Sequence, residues 1–127
     1  MLRFATLLAL AALVPSVHAF DGACATVAQN EAVACEQQRA ELVLSALSDR
    51  YKRAWAQLPA ERRGAFASAE RRWLNGGRWD DHAACVAAGS TAGSTEVVAA
   101  RCLADVTAAH LEALNRTLSV QVAGPQN

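Results

Sequence analysis

The chain has 127 residues, with 12 basic and 12 acidic side chains, four cysteines and 53% hydrophobic residues. That length holds one domain, and so balanced a charge argues against nucleic acid or an anionic membrane as the main partner. Residues 1–19 read as a secretory signal peptide. Arg3 supplies the positive start, Phe4 to Val14 is apolar or small throughout, Pro15 breaks the run, and Val17-His18-Ala19 offers small residues around a cleavage point after Ala19. The apolar run is shorter than the roughly 20 residues a spanning helix needs, and no Leu-x-x-Cys follows it directly. The mature chain, residues 20–127, is therefore expected to be one soluble domain, periplasmic or secreted, with no integral membrane segment. Without Arg3 it keeps eleven basic against twelve acidic residues, so long-range electrostatic steering should be weak.

The mature chain is rich in Ala, Leu, Arg and Glu and has no alternating strand pattern. Val43, Leu47, Tyr51, Ala54 and Leu58 recur at helical spacing in a first long helix. Pro59 suits the first position of a second helix and Glu61 its first turn. Phe66, Ala69 and Trp73 continue an apolar stripe, and Trp55 and Trp73 read as packing residues. Asn75-Gly76-Gly77 is expected to stop or kink this helix through left-handed glycine conformations. A shorter helix resumes near Arg78 and runs to about Val86. Ser94 or Thr95 caps the last helix, Glu96 lies in its first turn, and Leu103, Val106, His110, Leu114 and Leu118 mark its buried face. The tail frays from about residue 120. Asn115-Arg116-Thr117 matches a glycosylation sequon, but it falls on a helix and reads as chance. The fold class is thus all-α: a small antiparallel bundle of three main helices, with a short fourth segment.

Cys24, Cys35, Cys85 and Cys102 all lie in the mature chain, and an even count in a small exported domain reads as two disulfides. On one shared helix Cys24 and Cys35 would be about 16 Å apart, beyond the ~4.4–6.8 Å a disulfide allows between Cα atoms. Cys35 and Cys85 are centred on the turn at Pro59, which points to Cys35–Cys85 and leaves Cys24–Cys102. Zinc held by cysteines with His82 or His110 is the rival, but no Cys-x-x-Cys pair exists. No metal or cofactor is expected.

The ordered pieces from Cys24 to Leu114 resemble the LprI-like lysozyme-inhibitor family of exported bacterial domains. They are Cys24 and Cys35; Leu47-Ser48-Asp49-Arg50-Tyr51; Ala69-Glu70-Arg71-Arg72-Trp73-Leu74; Cys85; the Gly89-Ser90 and Gly93-Ser94 loop; Cys102; and Thr107 to Leu114 with His110 between. Tyr51, Arg71, Trp73, Leu74, Thr107, His110 and Leu114 carry the signature. Three positions depart from it: Ser48 replaces the usual asparagine, Glu70 the glutamine and His110 the arginine. The gap from Trp73 to Cys85 is about four residues longer than the family pattern, near one helical turn. The resemblance implies a binding module that inhibits lysozyme. Trp79, Asp80 and Asp81, with Ser90 and Ser94 in the following loop, are the expected partner-binding surface. An envelope structural or interaction protein of the same fold is the alternative. An enzyme is not expected, because adjacent carboxylates on a helix point apart and no nucleophile or phosphate loop accompanies Asp80, Asp81 and His82.

Overall fold

In chain order the elements are helix α1 (Gln29–Gln57), helix α2 (Ala60–Arg72), a π-helical turn (Trp73–Gly77), helix α3 (Arg78–Gly89) and helix α4 (Thr95–Val122). This computed structural model describes Cys24, residues 27–89 and residues 93–122. The leader, Ser90 and the tail beyond Val122 lie outside the described residues. The all-helical class follows as expected, as three helical rods with no strand among the described residues.

Proline chemistry makes the first reversal. Leu58 is extended, as a residue before proline prefers, and its N–H bonds back to the Ala54 and Trp55 carbonyls. The Pro59 carbonyl then accepts from the Arg62 N–H, opening α2. At the second reversal Ser94 caps α4: its Oγ accepts from the Val97 N–H at 3.3 Å and its carbonyl from the Val98 N–H at 3.0 Å. Arg39 reaches Asp105 and Arg50 reaches Asn115, offsets of 66 and 65 residues, so α1 and α4 run parallel. The rod between them runs the other way, with Tyr51 stacked on Phe66 and His82 bonded to the Ala99 carbonyl.

The core forms between α1 and α4. Leu47, Ala54, Leu111, Leu114 and Leu118 are buried together, with Tyr51, Phe66 and Trp73 packed on them. Each buried leucine contributes roughly 1.5–3 kcal/mol. The buried stripe of α4 is rotated from the one expected. Ala104, Thr107, Ala108 and Leu111 are buried, whereas Leu103, Val106 and His110 are only partly so. Small side chains at 104, 107 and 108 let the two parallel helices approach, and the larger neighbours flank the seam. Thr107 has no exposed surface, and its hydroxyl donates to the Leu103 carbonyl at 2.7 Å. Helix α2 covers the core by one edge only, and Glu70 is its single buried residue.

Two expectations fail here. Asn75-Gly76-Gly77 does not end the helix through left-handed glycines: positive φ among the described residues occurs only at Gly93. The helix widens to π geometry over Trp73–Gly77 and continues into α3. A π turn places an extra residue inside the helix without releasing its backbone hydrogen bonds to solvent. Gly77 leaves room for the Trp73 indole, since a Cβ there would meet Trp73 Cδ1 at 3.2 Å.

The disulfides are Cys24–Cys35 and Cys85–Cys102, with Cα–Cα distances of 5.8 and 5.7 Å, not Cys35–Cys85 and Cys24–Cys102. The premise of a shared helix was wrong. Helix α1 begins at Gln29, so Cys24 precedes it in a turn, where its carbonyl accepts from the Val27 N–H at 3.4 Å. That reversal brings Cys24 back alongside Cys35. Cys85 and Cys102 face each other across the reversal between α3 and α4, the same midpoint geometry applied to the neighbouring helix pair.

Candidate functional site

Five of the seven family-signature residues, Tyr51, Arg71, Trp73, Leu74 and His110, gather around Glu70. On one side, Leu44, Leu47, Tyr51, Glu70, Arg71 and Leu74 line an open, largely apolar cleft of about 380 Å3 between α1 and α2. On the other, the Trp73 and His110 rings stack at 3.6 Å, with their planes 4° apart. His110 Nε2 lies 3.0 Å from both Glu70 carboxylate oxygens. A carboxylate only accepts, so this nitrogen carries the proton and donates. Glu70 and His110 are two of the three departures from the family pattern, and here they are partners. Trp73 Nε1 donates to Asp81 Oδ2 at 3.3 Å, so the π turn sets the indole between His110 and the start of α3. Leu114 belongs to the core.

The expected binding residues are placed as follows. Trp79 is 51% exposed. Its ring stands edge-on to His82 at 6.0 Å, and the Arg78 guanidinium lies 5.4 Å from its centroid. Asp80 and Asp81 are exposed, but Asp81 turns toward Trp73. Ser94 is exposed and caps α4. Eight residues of α3 separate Asp81 from Gly89, ~12 Å along the axis. Trp79, Asp80 and Asp81 fan around the first turn of α3 rather than sharing one face, and Ser94 lies beyond the far end of that helix. His82 is held by the Ala99 carbonyl at 2.9 Å and Cys85 is crosslinked, so neither is free to ligate zinc. Asn115 of the sequon is part-buried and accepts from Arg50 Nε at 2.7 Å. Trp55, expected inside, is 40% exposed beneath the Arg63 guanidinium.

Sequence reasoning missed a buried ionic cluster beside the disulfides. Arg39 is 6% exposed; its Nε donates to Glu36 at 2.8 Å and its NH2 to Asp105 at 2.7 Å. Arg101 Nε reaches the other Glu36 oxygen at 3.4 Å. Burial works against the Arg39 charge, but hydrogen bonds and attraction from Asp105 and Glu36 outweigh it and raise its pKa above the ordinary arginine value. The spacings Glu36-x-x-Arg39 and Arg101-x-x-x-Asp105 put each pair on one helix face, which was the available signal. Arg78 differs: burial lowers its pKa, and its Nε is buried with no hydrogen-bond partner.

Charge is sorted along the bundle. A plane crossing α1 after Ser48, α2 after Ala69 and α4 after Ala113 leaves six basic and two acidic residues (49–69 and 114–122) on the side of the α1–α2 turn. Five basic and nine acidic residues (27–48 and 70–113) lie on the other. The halves carry four net charges of opposite sign. Helix α1 alone has 29 residues, about 43 Å, against a screening length of about 8 Å at physiological salt. An approaching molecule therefore meets one end at a time, and the neutral sum does not make steering weak. Trp79, Asp80 and Asp81 lie in the acidic half.

No curated protein and no solved structure matches the chain. The family model described as "Lysozyme inhibitor LprI" matches residues 22–114, which take in both disulfides and every signature residue. The two crosslinks fit an exported protein, and the chain belongs to the LprI lysozyme-inhibitor family.

Proposed function

We propose that this protein binds and inhibits a lysozyme and catalyses nothing itself. Family membership carries the reading. Lysozymes are usually basic, and their cleft works with two carboxylates on a polar sugar. The acidic half of the bundle would favour encounter with a basic partner. Trp79, exposed on a crosslinked helix, would enter the cleft with little ordering cost, since an aromatic anchor occludes sugar without adding negative charge beside the catalytic carboxylates. Asp80 and Asp81 would form the rim, and Ser90 and Ser94 complete the proposed surface. Asp80 and Asp81 would there act mainly on the association rate and its salt dependence.

A lysis assay with the oxidised protein against several lysozyme types tests the function. Inhibition at micromolar concentration is expected, and its absence across all types would turn the reading to an envelope-interaction protein. Trp79→Ala should raise the inhibition constant roughly 30-fold, the equivalent of about 2 kcal/mol, with the helical circular dichroism signal unchanged. Unaltered inhibition by that variant would keep the function and discard the site.

Export is the second part of the reading. The Arg3, apolar-run and Ala19 pattern supports removal of residues 1–19, so N-terminal sequencing of the exported protein should begin at or within a few residues of Phe20. A soluble cytoplasmic product retaining Met1 would reject it.

A further inference from the structure

The basic end of the bundle has a composition that inhibition of a lysozyme does not use. The exposed side chains Lys52, Arg53 and Arg62 surround the α1–α2 turn, where Asp49 and Glu61 are the only acidic residues on that side of the dividing plane. Arg63 donates to the Leu58 and Ala56 carbonyls, which fixes its guanidinium 4.5 Å above the Trp55 ring. Trp55 is 40% exposed and, with Tyr51 and Lys52, borders a shallow depression. Buried Leu58 anchors the turn beneath. The tip thus holds a solvent-facing indole with the Arg63 guanidinium over one face and Lys52 beside it, and Arg53 and Arg62 are exposed at the same end.

From this arrangement we infer that the α1–α2 end docks on the surface of an anionic phospholipid bilayer, independently of any lysozyme binding. Lysine and arginine near an anionic leaflet are each attracted to it, and indoles favour the level of the headgroups, where an apolar body and a polar N–H are both satisfied. A soluble acidic polymer would use the cations but gain little from Trp55, which is why a bilayer fits better. The opposed acidic half gives the docking an orientation. The leaflet attracts the basic tip and repels the other end, so Trp79 faces away from the membrane. No described helix is long and apolar enough to cross a membrane, and the contact is peripheral.

Cosedimentation of the oxidised protein with phosphatidylcholine vesicles, with and without phosphatidylglycerol, tests this. Binding is expected only to the anionic vesicles and should weaken steeply with added salt. The triple variant Lys52→Gln, Arg53→Gln, Arg62→Gln should lose on the order of 100-fold in partitioning, about fivefold for each cation. Asp80→Asn with Asp81→Asn should lose none. The blue shift of tryptophan fluorescence on binding should disappear in Trp55→Phe and persist in Trp79→Phe. Equal binding to neutral vesicles, undiminished binding by a folded triple variant, a blue shift retained in Trp55→Phe, or equally tight binding to soluble polyglutamate would each overturn the proposal.

Discussion

Replacement of Arg39 by alanine is expected to lower the unfolding free energy by roughly 3–5 kcal/mol, because it strands the buried Glu36 carboxylate without its closest cation. Arg39 joins Glu36 on its own helix to Asp105 and the Arg101 carbonyl on α4, so its loss also loosens the seam between the parallel helices. A domain of this size has only about 5–15 kcal/mol in total, and the urea midpoint should fall accordingly with little change in slope. Asp105→Asn should cost less than about 1 kcal/mol, since that side chain is 49% exposed and its charge is screened. Replacing both buried partners, Glu36→Gln with Arg39→Met, should recover most of the loss, because neither variant side chain leaves a buried charge. A deficit below about 1 kcal/mol for Arg39→Ala would show that water reaches Glu36 and the cluster is not a buried one. The raised pKa of Arg39 places its own contribution fully below the ordinary arginine range. That contribution fades only as pH rises through the still higher folded value, so near neutrality it gives no pH dependence.

Helical periodicity carried most of the fold. Val43, Leu47, Ala54 and Leu58 are buried as their spacing requires, and Ser94 caps α4 as a serine ahead of a helical run should. What periodicity could not convey was the angle of the buried stripe on α4, where alanine counts as apolar whether it is core or surface. Only the close approach of α1 shows that Ala104 and Ala108 are seam residues. Gly-Gly misled for a related reason. Glycine permits a left-handed helix end but does not require one, and the stacking of Trp73 on His110 with Gly77 beneath it offers a competing continuation. The disulfide error came from one boundary: moving the start of α1 past Cys24 turns an impossible local bridge into an easy one.

The candidate site was legible only in part. Trp79 and the two aspartates drew attention as more polar and aromatic surface than a core needs, and all three are exposed. That Asp81 serves Trp73 while Asp80 does not depends on a 3.3 Å contact set by the π turn, which no spacing rule anticipates. The pairing of Glu70 with His110 was equally hidden. Each looked like an isolated departure from the family pattern, yet 40 residues apart they form one hydrogen-bonded couple. Net charge hid the most, because a sum carries no information about position. The two halves become visible only once the helix directions assign each charge to an end.

Loss of the Cys85–Cys102 bond, in the double variant Cys85→Ser with Cys102→Ser, should cost about 3 kcal/mol and act on one region. The chain-entropy contribution for a closed loop with a sequence separation of 17 is near that value. The regional effect follows from how α3 is held. None of its residues is buried, and the disulfide joins it to α4 where few apolar groups are covered, alongside contacts that include the His82 bond to Ala99 and the Asp81 bond from Trp73. With the crosslink gone, α3 should open locally at a lower free energy than the α1–α4 core, and hydrogen exchange of residues 78–89 should accelerate ahead of residues 104–118. The matching variant Cys24→Ser with Cys35→Ser has a similar loop entropy, from a separation of 11, but tethers only the segment before α1 and should leave exchange in residues 78–89 unchanged. The two variants therefore separate stability from presentation. If Trp79 anchors a lysozyme, loosening α3 restores the ordering cost of that residue before binding, and inhibition should fall further in the Cys85/Cys102 variant than in the Cys24/Cys35 variant at equal fraction folded. Uniform acceleration of exchange across all helices would show instead that α3 unfolds only with the whole bundle and that the crosslink acts globally.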